Sequence, residues 1–193
     1  MALQLIGQVI FYTVFIMWLV FTFFIERIII GKGNGKTTRT RDDKGSFLLI
    51  YFSVFASIMV AFAFATAKIT PLPDWLFFVG IFLMLFGIFV REWAVITLKG
   101  YYSFRVSVFE GHKVVDNGPY RLVRHPGYAG SMLTMVGIGF AVQSWTAVLI
   151  LSLVCGIAYG YRIRVEEAAL LKELGEDYSK YMSRTKRLIP YIF

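Results

Sequence analysis

Apolar stretches without a charged side chain recur along this chain at the length of a membrane crossing. Residues 2 to 25 carry no charge, nor do residues 47 to 67, and residues 75 to 90 are apolar before Arg91 and Glu92 interrupt a run that resumes to Leu98. A helix rises about 1.5 Å per residue and covers a hydrocarbon core of about 30 Å with roughly 20 residues, so each stretch predicts one span. Residues 126 to 161 are uncharged over 36 positions. That is too long for one crossing and just enough for two short ones, which predicts a tight helical hairpin turning at Gln143-Ser144. The expected fold is an all-α integral membrane protein with five transmembrane helices, over about 2–25, 47–67, 75–98, 126–142 and 145–161, with a charged C-terminal helix over 162–185. Between the third and fourth spans Phe104, Val106 and Val108 alternate with polar residues and "HKVV" follows, the pattern of a short hairpin or extended flap. "DNGPY" then reads as a turn, with Gly118 available for positive φ and Pro119 fixing the next φ.

Charge tests that count, because Lys and Arg accumulate in short loops on the cytoplasmic side. With five spans, residues 26–46, 99–125 and 162–193 share one side and hold six, five and seven of the 20 basic residues. Lys68 falls opposite, and Arg91 lies near the inner end of the third span, where a long side chain snorkels to the headgroups. One long helix over 126–161 would carry the seven C-terminal basic residues across the membrane, so the hairpin is preferred. The N-terminus is expected outside and the C-terminus in the cytoplasm. An apolar share of 58% exceeds that of an ordinary soluble domain, and anionic membrane lipid accounts for the net charge of +8 without nucleic acid. The first stretch lacks a basic n-region and an obvious cleavage site and reads as a retained span. Cys155, alone in an apolar helix, reads as a packing residue.

"GKGNGKTT" at 31–38 imitates a phosphate loop, but Ile30 stands where its first glycine is required and a membrane helix precedes it where a strand is needed. Two histidines, one cysteine and no H-E-x-x-H pattern predict no metal, and His112 on the flap carries no catalytic weight. "GPYRLVRHPGYAG" at 118–130 is different. Pro126 suits the first turn of the fourth helix, with His125 at or beside its cap, and the free amides there favour an anion reinforced by Arg121, Arg124 and His125. Gly127, Gly130 and Ser131 allow a helix or ligand to approach closely. The fifth span exits in "YRIRVEEAALLKEL", where Arg164 and Glu167 share a face at i, i+3 and Arg162 and Glu166 at i, i+4. The short hairpin turn brings the two clusters together. There a carboxylate can accept from ribose hydroxyls or an amino group while the arginines hold an acid, or the pairs form a solvated surface. Gly156 and Gly160 form a small-xxx-small pair expected to press the fifth helix on its neighbour.

The 118–130 stretch together with Glu166-Glu167 resembles the signature of the isoprenylcysteine carboxyl methyltransferase family and the related phospholipid methyltransferases. The whole chain resembles the small archaeal and bacterial members, a single methyltransferase domain over 1–193. The resemblance implies an S-adenosylmethionine pocket on the cytoplasmic side lined by Tyr120, Arg124, His125, Pro126, Tyr128, Gly130, Glu166 and Glu167, with the cofactor's carboxylate near His125 and S-adenosylhomocysteine as product. The implied acceptor is lipidic, first a prenylated-cysteine-like small molecule or peptide methylated on its carboxylate. A carboxylate acceptor needs no general base, so Arg164 is expected to orient it and Glu167 to position Arg164 or the cofactor. A phospholipid amine acceptor would instead make Glu167 the base. Arg91 and Glu92 are candidates to line the acceptor's route. Sterol-type membrane reductases, which use NADPH, share a similar C-terminal architecture, and a non-catalytic bundle binding membrane lipids is a further reading.

Overall fold

The computed structural model describes residues 2–25, 28, 38–40, 43–67, 70–98, 101–103, 108–109, 111 and 113–190. Helix α1 (Ala2–Val20) runs into a π-helical turn (Phe21–Ile25), and α2 (Ser46–Thr66), α3 (Leu76–Leu98), α4 (Pro126–Ala141) and α5 (Trp145–Arg184) follow. Among the described residues, four helices are long and apolar enough to cross a membrane. Helix α4, at 16 residues, is the short one and reaches about 24 Å.

Local chemistry sets these boundaries. Ahead of α2, Asp43 accepts from the Phe47 amide at 3.0 Å and the Ser46 hydroxyl at 3.1 Å, which satisfies a first-turn donor. The α4–α5 turn lies where the apolar pattern put it: Gln143 adopts φ 57°, and Ser144 caps α5 by accepting from the Ala147 amide at 3.4 Å. This turn docks on the α2–α3 connection, since Leu72 N–H donates to Gln143 O and Trp145 N–H to Thr70 O, both at 3.0 Å. Both connections therefore sit at one end of the bundle, and the start of α4 and the charged half of α5 lie at the other.

Helices α3 and α4 form the most extensive contact, and glycines make it possible. A Cβ on Gly87 would stand 2.5 Å from Gly130 O, and one on Gly130 would stand 2.6 Å from Gly87 O. Gly80 and Gly137 repeat the arrangement two turns away, with a Cβ on Gly137 standing 2.7 Å from Gly80 O. Backbone approaches backbone here, the usual substitute in lipid for a hydrophobic driving force between helices. Gly156 and Gly160 do not play the expected part, because nothing lies within 4 Å of the place a Cβ would take at either. The core between helices is filled by Phe11, Trp18, Ile58, Met84, Met135, Ile138, Leu151, Cys155 and Tyr159. Phe78, Phe82, Phe89 and Trp93 line the outward face of α3 and stay exposed, as a lipid-facing stripe does.

Two further expectations change. The fifth span and the charged C-terminal segment are one helix, broken only at Gly175 (φ 53°, ψ −123°) rather than at the membrane surface. The extended flap is half of a pair rather than a hairpin of its own: strand β2 (Val108–Phe109) pairs antiparallel with β1 (Thr38–Thr40) from the α1–α2 connection. Phe104, Val106, His112, Lys68 and residues 31–37 lie outside the described residues. Gly118 does adopt positive φ, 55°, opening the 3-10 turn Gly118–Arg121 that leads to α4.

Candidate active site

The segment leading into α4 is held by the end of the chain. Arg124 N–H donates to Lys186 O at 2.8 Å and His125 N–H to Arg187 O at 3.0 Å, with Val123 and Lys186 forming a parallel bridge. Tyr120 is buried, and its carbonyl accepts from the Tyr181 hydroxyl at 2.7 Å. The Arg124 guanidinium donates to Met182 O at 3.0 Å and to Thr185 O, so it also satisfies carbonyls at the end of α5. Pro126 opens α4 with His125 at its cap, as the sequence predicts.

Glu167, 4% exposed, is the centre of the first cluster. Its Oε1 accepts from Arg124 Nε at 2.9 Å and lies 3.3 Å from His125 Nε2. Its Oε2 accepts from Arg187 Nε at 3.0 Å and from an Arg187 Nη at 2.8 Å. Burial alone would raise this carboxyl's pKa, but hydrogen bonds from His125, Arg187 and Arg124 outweigh it and hold the group at about 2. The anion that Arg124 and His125 meet is therefore the protein's own. Arg121 points away, exposed. Neighbouring Tyr178 is pushed up by its burial and then by the Glu166 and Glu167 charges.

A second cluster adjoins the first through stacked rings. His125 lies over Tyr128 at 5.6 Å between centroids, and Tyr128 over Tyr159 at 5.4 Å. The Tyr128 hydroxyl donates to Glu166 Oε2 at 2.6 Å and accepts from Arg162 Nε at 3.1 Å. Arg162, 3% exposed, also donates to Ser46 Oγ at 2.7 Å and is ion-paired with Asp43. One polar chain thus runs from the C-terminal tail through α4 and α5 to the start of α2. Gly130 does not face it with open space; α3 covers that position.

Arginine 164 stands apart. It is exposed, and no hydrogen bond or ion pair joins it to Glu167, whose oxygens belong to Arg124, His125 and Arg187. The i, i+3 pair is thus not formed, and the i, i+4 residues Arg162 and Glu166 meet through the Tyr128 hydroxyl. Arg91, expected to reach the headgroups, donates to Ser131 Oγ at 2.6 Å across the α3–α4 interface and to the Tyr102 hydroxyl beyond α3 at 3.0 Å. Glu92 is buried on the same helix.

Among the described residues, two open spaces lie beside these clusters. A cavity of about 550 Å³ is lined by Lys113, Val114, Asp116, Leu174, Asp177, Lys180 and Arg184. One of about 310 Å³ shares Val114 and Asp116 with it and reaches Thr97, Leu98 and Tyr101. Sequence reasoning missed these linings, and it missed Asp43, Tyr159 and Arg187. Asp43 was findable as a capping residue three positions before Ser46. Nothing local marks Arg187, which lies 20 residues beyond Glu167.

Residues 78–172 match the family model described as the isoprenylcysteine carboxyl methyltransferase (ICMT) family. A probable protein-S-isoprenylcysteine O-methyltransferase of Oryza sativa subsp. indica is 27% identical over 165 residues, covering 84% of each chain. The protein-S-isoprenylcysteine O-methyltransferase of Homo sapiens is 27% identical over 128 residues, 61% of this chain and 42% of that one. Among solved structures, the eukaryotic intramembrane Ras methyltransferase ICMT shares the fold with a TM-score of 0.59 at 23% identity, over 76% of this chain and 52% of that longer one.

Proposed function

We propose that the whole chain is one membrane methyltransferase unit, because residues 78–172 match the model of the isoprenylcysteine carboxyl methyltransferase family. In this reading it moves a methyl group from S-adenosylmethionine to the carboxylate of a prenylated-cysteine-like lipid. The observation that carries it is the buried Arg162–Tyr128–Glu166 cluster where α4 and α5 reach the site end of the bundle. Charges of both signs line the larger cavity, as a zwitterionic amino acid requires: Lys113 and Asp177, with Arg184 paired to Asp116 and Lys180 to Glu176 in this structure. Tyr120, Arg124, His125, Pro126, Tyr128, Gly130, Glu166 and Glu167, the residues that the resemblance implies for the donor, are not among the residues lining that cavity.

S-adenosylmethionine supplies an electrophilic methyl on a sulfonium and leaves as S-adenosylhomocysteine. The chain's own contribution is alignment and exclusion of water, which is worth several kcal/mol in a displacement of this kind. Arg162 is placed ahead of Arg164 as the guanidinium that orients the acceptor carboxylate, because it belongs to the Tyr128–Glu166 cluster while Arg164 stands exposed outside it. Tyr128 and Glu166 fix the Arg162 fork, and no side chain has to remove a proton from an ionised carboxylate. The lipid tail lies between helices while the donor arrives from the cytoplasmic side, where the basic loops put the C-terminus.

Calorimetry with S-adenosylhomocysteine on detergent-solubilised protein, followed by methyl transfer to an S-farnesylcysteine analogue, tests the reading. Binding and turnover are expected, with the rate maintained as pH falls toward about 6. Transfer to an amine phospholipid, with loss of rate over that range, would move the assignment to N-methylation. Binding of NADPH instead would move it to the reductases, and binding of neither would leave a lipid-binding bundle.

A further inference from the structure

Glu167 sits between two segments that flank the helices. On one side are Arg124 and His125, which lead into α4. On the other is Arg187, beyond the end of α5 and outside the residues matched to the family. The tail meets the same lead-in twice more through its backbone, because the Lys186 and Arg187 carbonyls accept the Arg124 and His125 amides. Those amides directly precede the helix start and would otherwise be buried donors without partners. The three contacts act as one fastening, with the Arg187 fork holding the carboxylate and its own carbonyl holding the residue that the carboxylate touches.

We propose that Arg187 is a positioning residue of the donor site: it clamps Glu167 and, through it, sets the place of His125 and the helix start. This rests on the methyl-donor reading above. The Arg187 fork converges on Oε2 from Nε and Nη2, with Nε also 3.3 Å from Oε1, and fixes direction as well as charge, which an ammonium cannot reproduce. Of the three side chains on Glu167, Arg187 is the most exposed, 36% against 8% for Arg124 and 3% for His125. Its loss therefore disturbs the site without opening the core.

The test uses the full chain in detergent as wild type, Arg187→Ala, Arg187→Lys, Glu167→Gln and the double variant. Amide exchange at Arg124 and His125 is expected to quicken at least tenfold in Arg187→Ala, less in Arg187→Lys, while amides in the middle of α3 are unchanged. S-adenosylhomocysteine should bind about tenfold more weakly to Arg187→Ala, with partial recovery in Arg187→Lys. The double variant should bind no more weakly than Glu167→Gln alone, since the two residues act as one unit. Unchanged exchange at 124 and 125, or losses that multiply in the double variant, would overturn the proposal. If the wild-type chain binds no S-adenosylhomocysteine, the donor reading falls, and the exchange measurement still decides for or against Arg187.

Discussion

At the scale of single residues, Glu167 dominates because two guanidiniums and an imidazole converge on one buried carboxylate. Its pKa is lowered from the usual carboxyl range, 4.5, to about 2, so the folded state holds the charge more firmly than the unfolded chain does. The stability this contributes is present above about pH 4.5 and lost as pH falls toward 2, in total about 3 kcal/mol. Thermal midpoints followed between those limits should fall for the wild type and lack that slope in Glu167→Gln. The same substitution at neutral pH leaves Arg124 and His125 without their anion and should cost about 3 kcal/mol or more. Among the arginines, Arg162→Ala should reduce turnover of a carboxylate acceptor at least tenfold more than Arg164→Ala, as steady-state rates would show. The sequence could not separate those two. Spacing on a helix says which residues share a face, but only the packing of α2 against α5 says which face is inward. Arg162 meets Asp43 and Ser46 there, contacts that span more than a hundred residues.

At the scale of elements, the limits of α2, α3 and α4 were legible to within a residue or two, because a charge-free run in lipid leaves the backbone little alternative to a helix, whereas α5 runs through the boundary expected at 161 to Arg184. Which glycines matter was not. The pair at Gly156 and Gly160 has the right spacing on the wrong face, whereas Gly80 and Gly87 in α3 meet Gly137 and Gly130 in α4. A spacing of seven repeated in two helices is the signal that was available. Gly87→Ala should therefore destabilise the bundle by about 1–3 kcal/mol, since a rigid backbone stands where the methyl must go. Gly156→Ala meets open space and should leave the midpoint unchanged or raise it through helix propensity, up to about 1 kcal/mol. Midpoints measured in one detergent would show whether the two shifts differ in sign.

At the scale of the molecule, the docking of the α4–α5 turn on the α2–α3 connection fixes which ends lie together, a relation that the basic-residue count had anticipated. Single cysteines at Asp74 and Lys186 should be modified from opposite faces of sealed vesicles, with Lys186 on the cytoplasmic face; labelling of both from one face would contradict this arrangement. Charge counting could not foresee how the tail closes, because backbone pairing between residues 123–125 and 186–187 leaves no mark in composition. Helix α4, with 16 residues, is shorter than the layer it crosses. A bilayer must dip beside it or the lead-in at His125 must sink below the headgroups. Thick, long-chain membranes would then strain the reaction chamber and thin ones relax it, so that lipid chain length becomes a throttle on turnover.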